Sequence, residues 1–252
     1  MAVSMKSARE IELMREAGRL LSRVHDELGA AIRPGMSTLE IDQLGEKLIR
    51  SFGCVPNFLH YNGYPASICV SVNDEVVHGI PKKDRILQEG DIVSLDAGLI
   101  YQGYHSDAAR THAVGKISPQ AQQLIEVTRQ SFFEGIRFAR EGCRLFDVSA
   151  AIQQYVESHG YSIVREYVGH GIGTQMHESP EIPNYGHPGR GPRLLRGMTL
   201  AIEPMVNAGS AEIVQLSDGW TVKTRDGKWA AHYENTVLIT DGEPEILTAP
   251  AI

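Results

Sequence analysis

The sequence predicts an α+β fold built from two similar α/β halves, and three observations carry that prediction. Helical periodicity and apolar strand-like runs succeed one another in the same order twice along the 252 residues. The segments 33–53 and 140–160 superpose at a constant offset of 107, so that Gly35 meets Gly142, Leu39 meets Phe146 and Gly53 meets Gly160. Gly90 and Gly197 keep that offset, and so do Asp96 and Glu203, while Asp107 matches Glu234 at an offset of 127. Acidic positions that land on acidic positions indicate an internal duplication. The chain therefore reads as one domain over 1–252, with repeats of roughly 1–115 and 116–252.

Each element follows from local chemistry. Ser7-Ala8-Arg9-Glu10 has the form of a capping box. Ile11, Met14, Ala17, Leu21, Val24 and Leu28 then recur at helical spacing, up to a stop near Gly29. Arg33-Pro34-Gly35 makes a turn, and Ser37 and Thr38 cap a second helix that ends before Gly53. A loop over 57–65, a strand over 67–72 and a Val-Val-His-Gly-Ile-Pro segment lead into the stretch 91–115. That stretch reads as two apolar runs, 92–100 and 104–114, about a turn at Tyr101-Gln102-Gly103. The second half repeats the order. Helices start at Ser118-Pro119 and Phe146, and a strand over 161–168 leads to Gly169-His170-Gly171-Ile172. Strands over 199–206, 212–216, 220–224 and 229–239 complete the chain.

The hairpin register predicted from the turn places Asp96 directly opposite Asp107. Nothing basic lies beside either in sequence, and Val93, Leu95, Ala97, Leu99 and Ala108 surround them. Repulsion and desolvation then cost on the order of several kcal/mol unless a cation lies between the two carboxylates. The duplication would bring Glu203 and Glu234 to the same seam, together with His78, His170 and His177 from glycine-flanked segments. Four carboxylates and an imidazole suit Mn²⁺, Fe²⁺, Co²⁺ or Zn²⁺ without choosing among them. Two divalent ions balance four negative charges, which favours a dinuclear site of hydrolytic type. His25, His60, His105, His112, His159, His187 and His232 read as ordinary hydrogen-bonded core or surface histidines. Phe58, Tyr61, Tyr64, Met176 and Trp220 sit in flanking loops, where together they would line a pocket for an unbranched apolar side chain.

The bulk properties exclude other classes. A formal charge of −7 argues against nucleic acid as a main partner, because phosphate binding needs a basic surface. No run reaches the length of a membrane span, and the amino-terminal stretch has no apolar signal core. Cys54, Cys69 and Cys143 form no CxxC pair and suit a reducing cytoplasm.

Tyr167-Val168-Gly169-His170-Gly171-Ile172-Gly173, followed by His177 and by Ile182-Pro183-Asn184-Tyr185, resembles the signature of type I methionine aminopeptidases. The acidic motifs Ser-Leu-Asp96-Ala-Gly, His-Ser-Asp107-Ala, Ile-Glu203-Pro-Met and His-Tyr-Glu234-Asn resemble that family's ligand motifs in the same order, over essentially the whole chain. The resemblance implies the pita-bread fold, with two pseudo-symmetric halves around a central antiparallel sheet. It implies that Asp96 binds one metal, that His170 and Glu203 bind the other, and that Asp107 and Glu234 bridge both. It further implies that His177 contacts the substrate carbonyl, that His78 lies near the leaving group and that Glu203 handles the proton of the attacking water. Tyr61, Tyr64, Cys69 and Trp220 would enclose the methionine side chain. Phe58 and Met176 depart from the Cys and Phe common at those places in bacterial members.

The implied reaction removes the initiator methionine from nascent polypeptides when the second residue is small, during a transient encounter with the ribosome. The enzyme would act as a cytoplasmic monomer. The chain itself begins Met1-Ala2, which makes its own Met1 a candidate substrate. Two alternatives are a proline-directed peptidase of the same fold, which typically carries a large additional amino-terminal domain, and a non-catalytic binding module, which should have lost ligands.

Overall fold

Ser7 and Ser37 start their helices by the same chemistry. Each hydroxyl accepts the N–H three residues on, and Glu10 or Glu40 accepts the N–H of the serine in return. The computed structural model describes residues 3–249, so the Met1-Ala2 pair lies outside the described residues. Helix α1 spans Ala8–Ala31 and α2 spans Thr38–Ser51. The first helix runs past Gly29, which is no terminator. A Cβ there would stand 2.7 Å from the His112 ring, so this glycine lets α1 approach the sheet.

Strands β1 (Val55–Pro56), β2 (Ile68–Val72) and β3 (Glu75–Val77) precede the long hairpin β4 (Ile92–Tyr101) and β5 (Tyr104–Ala113). Helices α3 (Pro119–Ile136) and α4 (Leu145–Ser158) then repeat the helical pair. The strand expected over 161–168 shrinks to β6 (Ser162–Ile163), and β7 (Gly169–Gly171) and β8 (Glu178–Ile182) follow. The expected strand 199–206 divides into β9 (Thr199–Ile202) and β10 (Met205–Asn207). After β11 (Ile213–Gln215) and β12 (Val222–Thr224), the expected strand 229–239 divides into β13 (Ala230–His232) and β14 (Glu234–Leu238), with β15 (Glu245–Ile246) last.

Both divisions have one cause. Strands β9 and β14 pair in a nine-stranded sheet of order β1-β4-β5-β14-β9-β7-β8, with β2 also on β4 and β15 on β14. Their continuations β10 and β13 pair in a separate three-stranded sheet with β6. Pro204 has no N–H to offer a ladder, and the Tyr233 N–H donates to its carbonyl instead. The strand pair thus changes sheets at one level, and Glu203 and Glu234 stand at that crossing. Every ladder in the large sheet is antiparallel.

Alternation along β4 separates core from site. Val93, Leu95, Ala97 and Leu99 pack with Leu21, Val24 and Leu28 of α1 and Ile41 and Ile49 of α2. Ser94, Asp96 and Gly98 take the other face. A second core joins Phe132 of α3 and Val148 and Ile152 of α4 to Leu200, Ile202 and Val237 of the sheet. Each fully buried Leu, Ile or Phe stabilises the fold by about 1.5–3 kcal/mol.

The halves also match in their hydrogen bonds. Gly35 N–H donates to Leu87 O and Gly142 N–H to Leu194 O, while Leu87 and Leu194 donate back to Met36 and Cys143. Gly35 and Gly142 hold φ of 89° and 87°, a region that a side chain disfavours.

The hairpin register differs from the expected one. Tyr101 pairs with Tyr104, so the turn is the two-residue Gln102-Gly103, with φ of 47° and 86°. Positive φ at both positions suits the type I′ turn that matches strand twist. Asp96 therefore pairs with Ala109, and Asp107 with Gly98. A two-residue shift preserves the face, so the two aspartates remain on the same side, diagonal instead of opposed.

Two histidines, His25 buried and His112 half-buried, tie α1 to the back of this sheet. His25 Nε2 donates to Ala108 O, and burial pushes its pKa down. His112 lies under Gly29, and burial, aided by the Arg110 charge, lowers its pKa to about 4. An unfolded histidine titrates near 6.5, so the unfolded chain takes up these protons first. Stability is therefore lost as pH falls from about 6.5 toward 4. His112→Gln should weaken that loss by up to ~3 kcal/mol in urea denaturation at pH 7, 5.5 and 4. Parallel pH profiles for the two proteins would refute the assignment.

Candidate metal centre and substrate pocket

The acidic cluster is assembled from two rows that cross the large sheet. Asp96 on β4 and Glu234 on β14 each pair with Ala109 on β5, so two carboxylates lean over one small residue. In the second row, His170 on β7 pairs with Ala201 on β9, which pairs with Thr236 on β14. The Asp107 N–H donates to Thr236 Oγ1, and the hydroxyl donates back to Asp107 O. Glu203 follows directly on β9, where the Asn184 amide donates to its carbonyl oxygen. Asn184 of the Ile-Pro-Asn-Tyr motif thus clamps the backbone at the sheet crossing.

Arg110 supports the cluster from behind. Its guanidinium donates to the carbonyl oxygens of Ala109, Glu234 and Thr248 and to Asn235 Oδ1, and it lies 4.5 Å over the Tyr233 ring. All of those donors go to backbone or amide oxygens. None neutralises a carboxylate of the cluster.

Asp107, His170 and Glu234 can each turn one ligand atom to a common ion, and so can Glu203, His232 and Glu234. His170 Nε2 stands 3.9 Å from Asp107 Oδ2 and 3.8 Å from Glu203 Oε1. His232 Nε2 stands 3.6 Å from Glu203 Oε2 and 4.0 Å from Glu234 Oε2. These separations are too long for hydrogen bonds. They are a few tenths of an ångström wider than the roughly 3–3.5 Å between donors at about 2.1 Å from one metal, so small side-chain rotations would gather them around a cation. Asp96 Oδ1, Asp107 Oδ1, Glu234 Oε1 and His232 Nε2 are buried without a hydrogen-bond partner. Buried polar atoms ordinarily have one. His170 donates from Nδ1 to Gly171 O at 2.9 Å, which leaves a bare lone pair on the Nε2 that faces the carboxylates. The donor set and its tautomer fit divalent cations.

Electrostatics agree with that fit. Burial raises Asp96 to about 7, with Glu203 adding to the rise and His232 opposing it. Burial raises Glu203 to about 8. Burial also pushes Asp107 well up, reinforced by Asp96 and Glu203, and does the same to Glu234, reinforced by Asp107 and Glu203. Burial lowers His170 to about 3 and His78 and His232 to about 4, so all three imidazoles are neutral at pH 7.

A cavity opens onto this floor. Phe58, Tyr61, Tyr64, Cys69, His78, Met176, His177 and Trp220 line it together with Asp96, Asp107, His170, Glu203 and Glu234. The structure thus brings together every site residue named from the sequence and adds Asn62 to the lining. Phe58, Tyr64, Ala66, Cys69 and Met176 form an apolar cluster of their own, with Trp220 edge-on to Tyr64 at 5.1 Å. His177 projects at the mouth, where the Tyr61 hydroxyl bonds its Nδ1 at 2.8 Å and the His170 ring lies 4.2 Å away. His78 holds a left-handed φ of 59° and meets the Tyr167 ring edge-on at 5.4 Å.

His232 corrects the sequence reading, which left it among ordinary histidines. It is 1% exposed and stands within the acidic cluster. Its signal was its position two residues before Glu234, the spacing that shares a face in an extended chain. Arg110 was missed as well. No sequence pattern marks a guanidinium directed at carbonyl oxygens.

Carboxyls raised in the fold stabilise it below their unfolded values near 4, and that contribution is lost as pH rises through about 7 to 8. The chelated protein should therefore melt at progressively lower temperature between pH 5 and 8. Added Mn²⁺ should restore more stability at pH 8 than at pH 5 and release protons in calorimetry. Metal binding without proton release at pH 7 would contradict the raised carboxyls.

A model of metallopeptidase family M24 matches residues 12–241. The chain is 55% identical over 246 residues to a methionine aminopeptidase of Clostridium acetobutylicum, covering 98% of both chains. The crystal structure of methionine aminopeptidase from Rickettsia prowazekii superposes with a TM-score of 0.97 at 39% identity, covering 98% of this chain and 100% of that one. An Xaa-Pro dipeptidase from Bacillus anthracis shares the fold at a TM-score of 0.79 and 24% identity; 97% of this chain covers 61% of that one.

Proposed function

Because the chain belongs to metallopeptidase family M24, among its methionine aminopeptidases, we propose that this cavity releases the amino-terminal methionine of polypeptides whose second residue is small. The observation that carries the reading is the junction of an apolar pocket with a floor of four carboxylates, Asp107 and Glu234 buried and Asp96 and Glu203 half-buried, and one bare imidazole nitrogen. The chain is a metal-dependent hydrolase with the pita-bread fold. The following assignments are ours.

Asp96, Asp107, His170, Glu203 and Glu234 would hold two divalent ions, whose +4 charge matches the four carboxylates. Such ions supply Lewis acidity, which polarises a scissile carbonyl and acidifies a water. The side chains of this chain do the remainder. Glu203, whose side chain is 14% exposed, takes the proton of the attacking water. With the Tyr61 hydroxyl donating to Nδ1, His177 keeps its proton on Nε2 and donates it toward the carbonyl oxygen as charge develops there. His78, neutral, lining the cavity and edge-on to Trp220, would donate to the leaving nitrogen. Phe58, Tyr64, Cys69, Met176 and Trp220 exclude water from the methionine side chain.

The duplicated unit, read as one domain, supplies a helical pair and carboxylates from each half. No helix among the described residues is long and apolar enough to cross a membrane. Three free thiols suit a reducing cytoplasm, where the enzyme would act as a monomer on nascent chains near the ribosome. The retained ligand set weighs against a binding module. Identity of 55% to a methionine aminopeptidase over nearly the whole chain supports that activity over a proline-directed one.

Metal-stripped protein, reloaded with Mn²⁺, Fe²⁺, Co²⁺ or Zn²⁺ separately, should release free methionine from Met-Ala-Ser. It should act far more slowly on Met-Leu-Ser and not at all on Ala-Pro-Ser. Cleavage of the proline peptide alone would move the activity to the dipeptidase class, and tight metal binding with no turnover would favour the binding module. Asp107→Ala should abolish turnover while the far-ultraviolet circular dichroism is retained. Phe58→Ala should raise KM for Met-Ala-Ser about tenfold or more at nearly unchanged kcat, because it removes ground-state and transition-state contacts alike.

A further inference from the structure

Lys6 lies ahead of the first helix, 172 positions from Glu178, yet its ammonium stands 2.6 Å from Glu178 Oε2. The two side chains are 5% and 14% exposed, so this is a buried pair and not a surface one. The Ser4 hydroxyl donates to the same carboxylate oxygen at 2.6 Å, and Lys6 N–H donates to Gly197 O at 2.7 Å. Glu178 Oε1 accepts the Gln175 N–H at 3.2 Å. Burial pushes the Glu178 carboxyl up, but the bonds from Lys6, Ser4 and Gln175 hold it below the ordinary range.

The pair encloses a loop. Residues 173–177 form no helix or strand, and they carry His177 and Met176 into the cavity. A Cβ on Gly173 would meet Glu178 Oε1 at 2.5 Å and Lys6 Nζ at 2.7 Å, so the pair fills the space beside this glycine. The other ties on the loop are few: His105 N–H to Gly173 O, Gly173 N–H to Gln175 O, and the Tyr61 hydroxyl to His177. Removal of one partner would leave the other as an unpaired and largely buried charge, a cost that opening of the loop to water relieves.

We infer that Lys6 and Glu178 are positioning residues: their ion pair clasps the Gly173–Glu178 loop and through it sets His177 against the substrate carbonyl. The segment ahead of α1 is then a working part of the active site. This inference rests on the peptidase reading for its catalytic consequence alone; the clasp itself is a statement about the loop. Because His177 acts on charge that develops in the transition state, loosening it lowers kcat more than it raises KM.

The test uses the full chain with Mn²⁺ and compares wild type with Lys6→Met, Glu178→Gln and Lys6→Arg. Amide hydrogen exchange over Gly173–Glu178, and at the His105 N–H that bonds Gly173 O, should quicken at least tenfold in Lys6→Met and Glu178→Gln, while exchange along β4 and along β5 from Ser106 onward is unchanged. On Met-Ala-Ser, kcat should fall at least tenfold in both, with KM and Mn²⁺ affinity within about twofold of wild type. Lys6→Arg should retain at least half of kcat. Unchanged loop exchange, or a kcat within twofold of wild type, overturns the inference; so does a loss of Mn²⁺ affinity in step with kcat, which would place the damage in the metal centre. A wild type that cleaves nothing, with the exchange result as expected, overturns the peptidase reading and leaves the clasp standing.

Discussion

Four carboxylates held within a few ångströms of one another in a buried sheet are the constraint to which the rest of this structure answers. Like charges in a poorly solvated site repel, and burial alone drives their pKa values upward. Among the described residues no lysine or arginine pairs with them, and the two histidines beside them, His170 and His232, are neutral at pH 7. Arg110, the nearest guanidinium, directs its donors to the carbonyl oxygens of Ala109, Glu234 and Thr248 and to the Asn235 amide. It stiffens the strands without satisfying the acids, which leaves their oxygens and the bare Nε2 of His170 for a cation.

Small residues make the crowding geometrically tolerable. Ala109 lies between Asp96 and Glu234, and Ala201 and Thr236 lie between His170 and Asp107. Alternation along β4 sends Val93, Leu95, Ala97 and Leu99 to the helices and leaves Asp96 on the opposite face, where the register also sets Asp107. The sheet crossing at Pro204 and Tyr233 swings Glu203 and Glu234 to the same level. The same packing that stabilises the domain therefore sets the chemistry of its floor. The pocket wall of Phe58, Tyr64, Cys69 and Met176 adds an apolar boundary beside it, and the imidazoles of His78 and His170 stay neutral and ready to donate or ligate.

Much of this was legible in the sequence because the signals are local. Ser7-Glu10 and Ser37-Glu40 announce their helices through hydrogen bonds three residues long. The 107-residue offset survives into the hydrogen bonds of Gly35 and Gly142. Other features were misjudged for reasons of packing. Gly29 looked like a helix stop, but it exists to admit the His112 ring. The strands over 199–206 and 229–239 looked continuous, because nothing in their apolar pattern says that a chain must leave one sheet for another. His232 looked ordinary until Glu203 came within 3.6 Å of it.

The sequence by itself determined which side chains share a face, since strand parity is a property of the backbone and survives a two-residue error in register. It likewise determined the helix starts, the repeat and the acidic motifs. Only the tertiary structure decided distances, and with them protonation. Asp96 and Asp107 are diagonal because a Gln102-Gly103 turn fits the twist of the hairpin. Lys6 and Glu178 are partners because the chain returns across 172 positions to close over Gly173. Charges and desolvation depend on separation in space, and neighbours that far apart in the chain leave no local pattern to read.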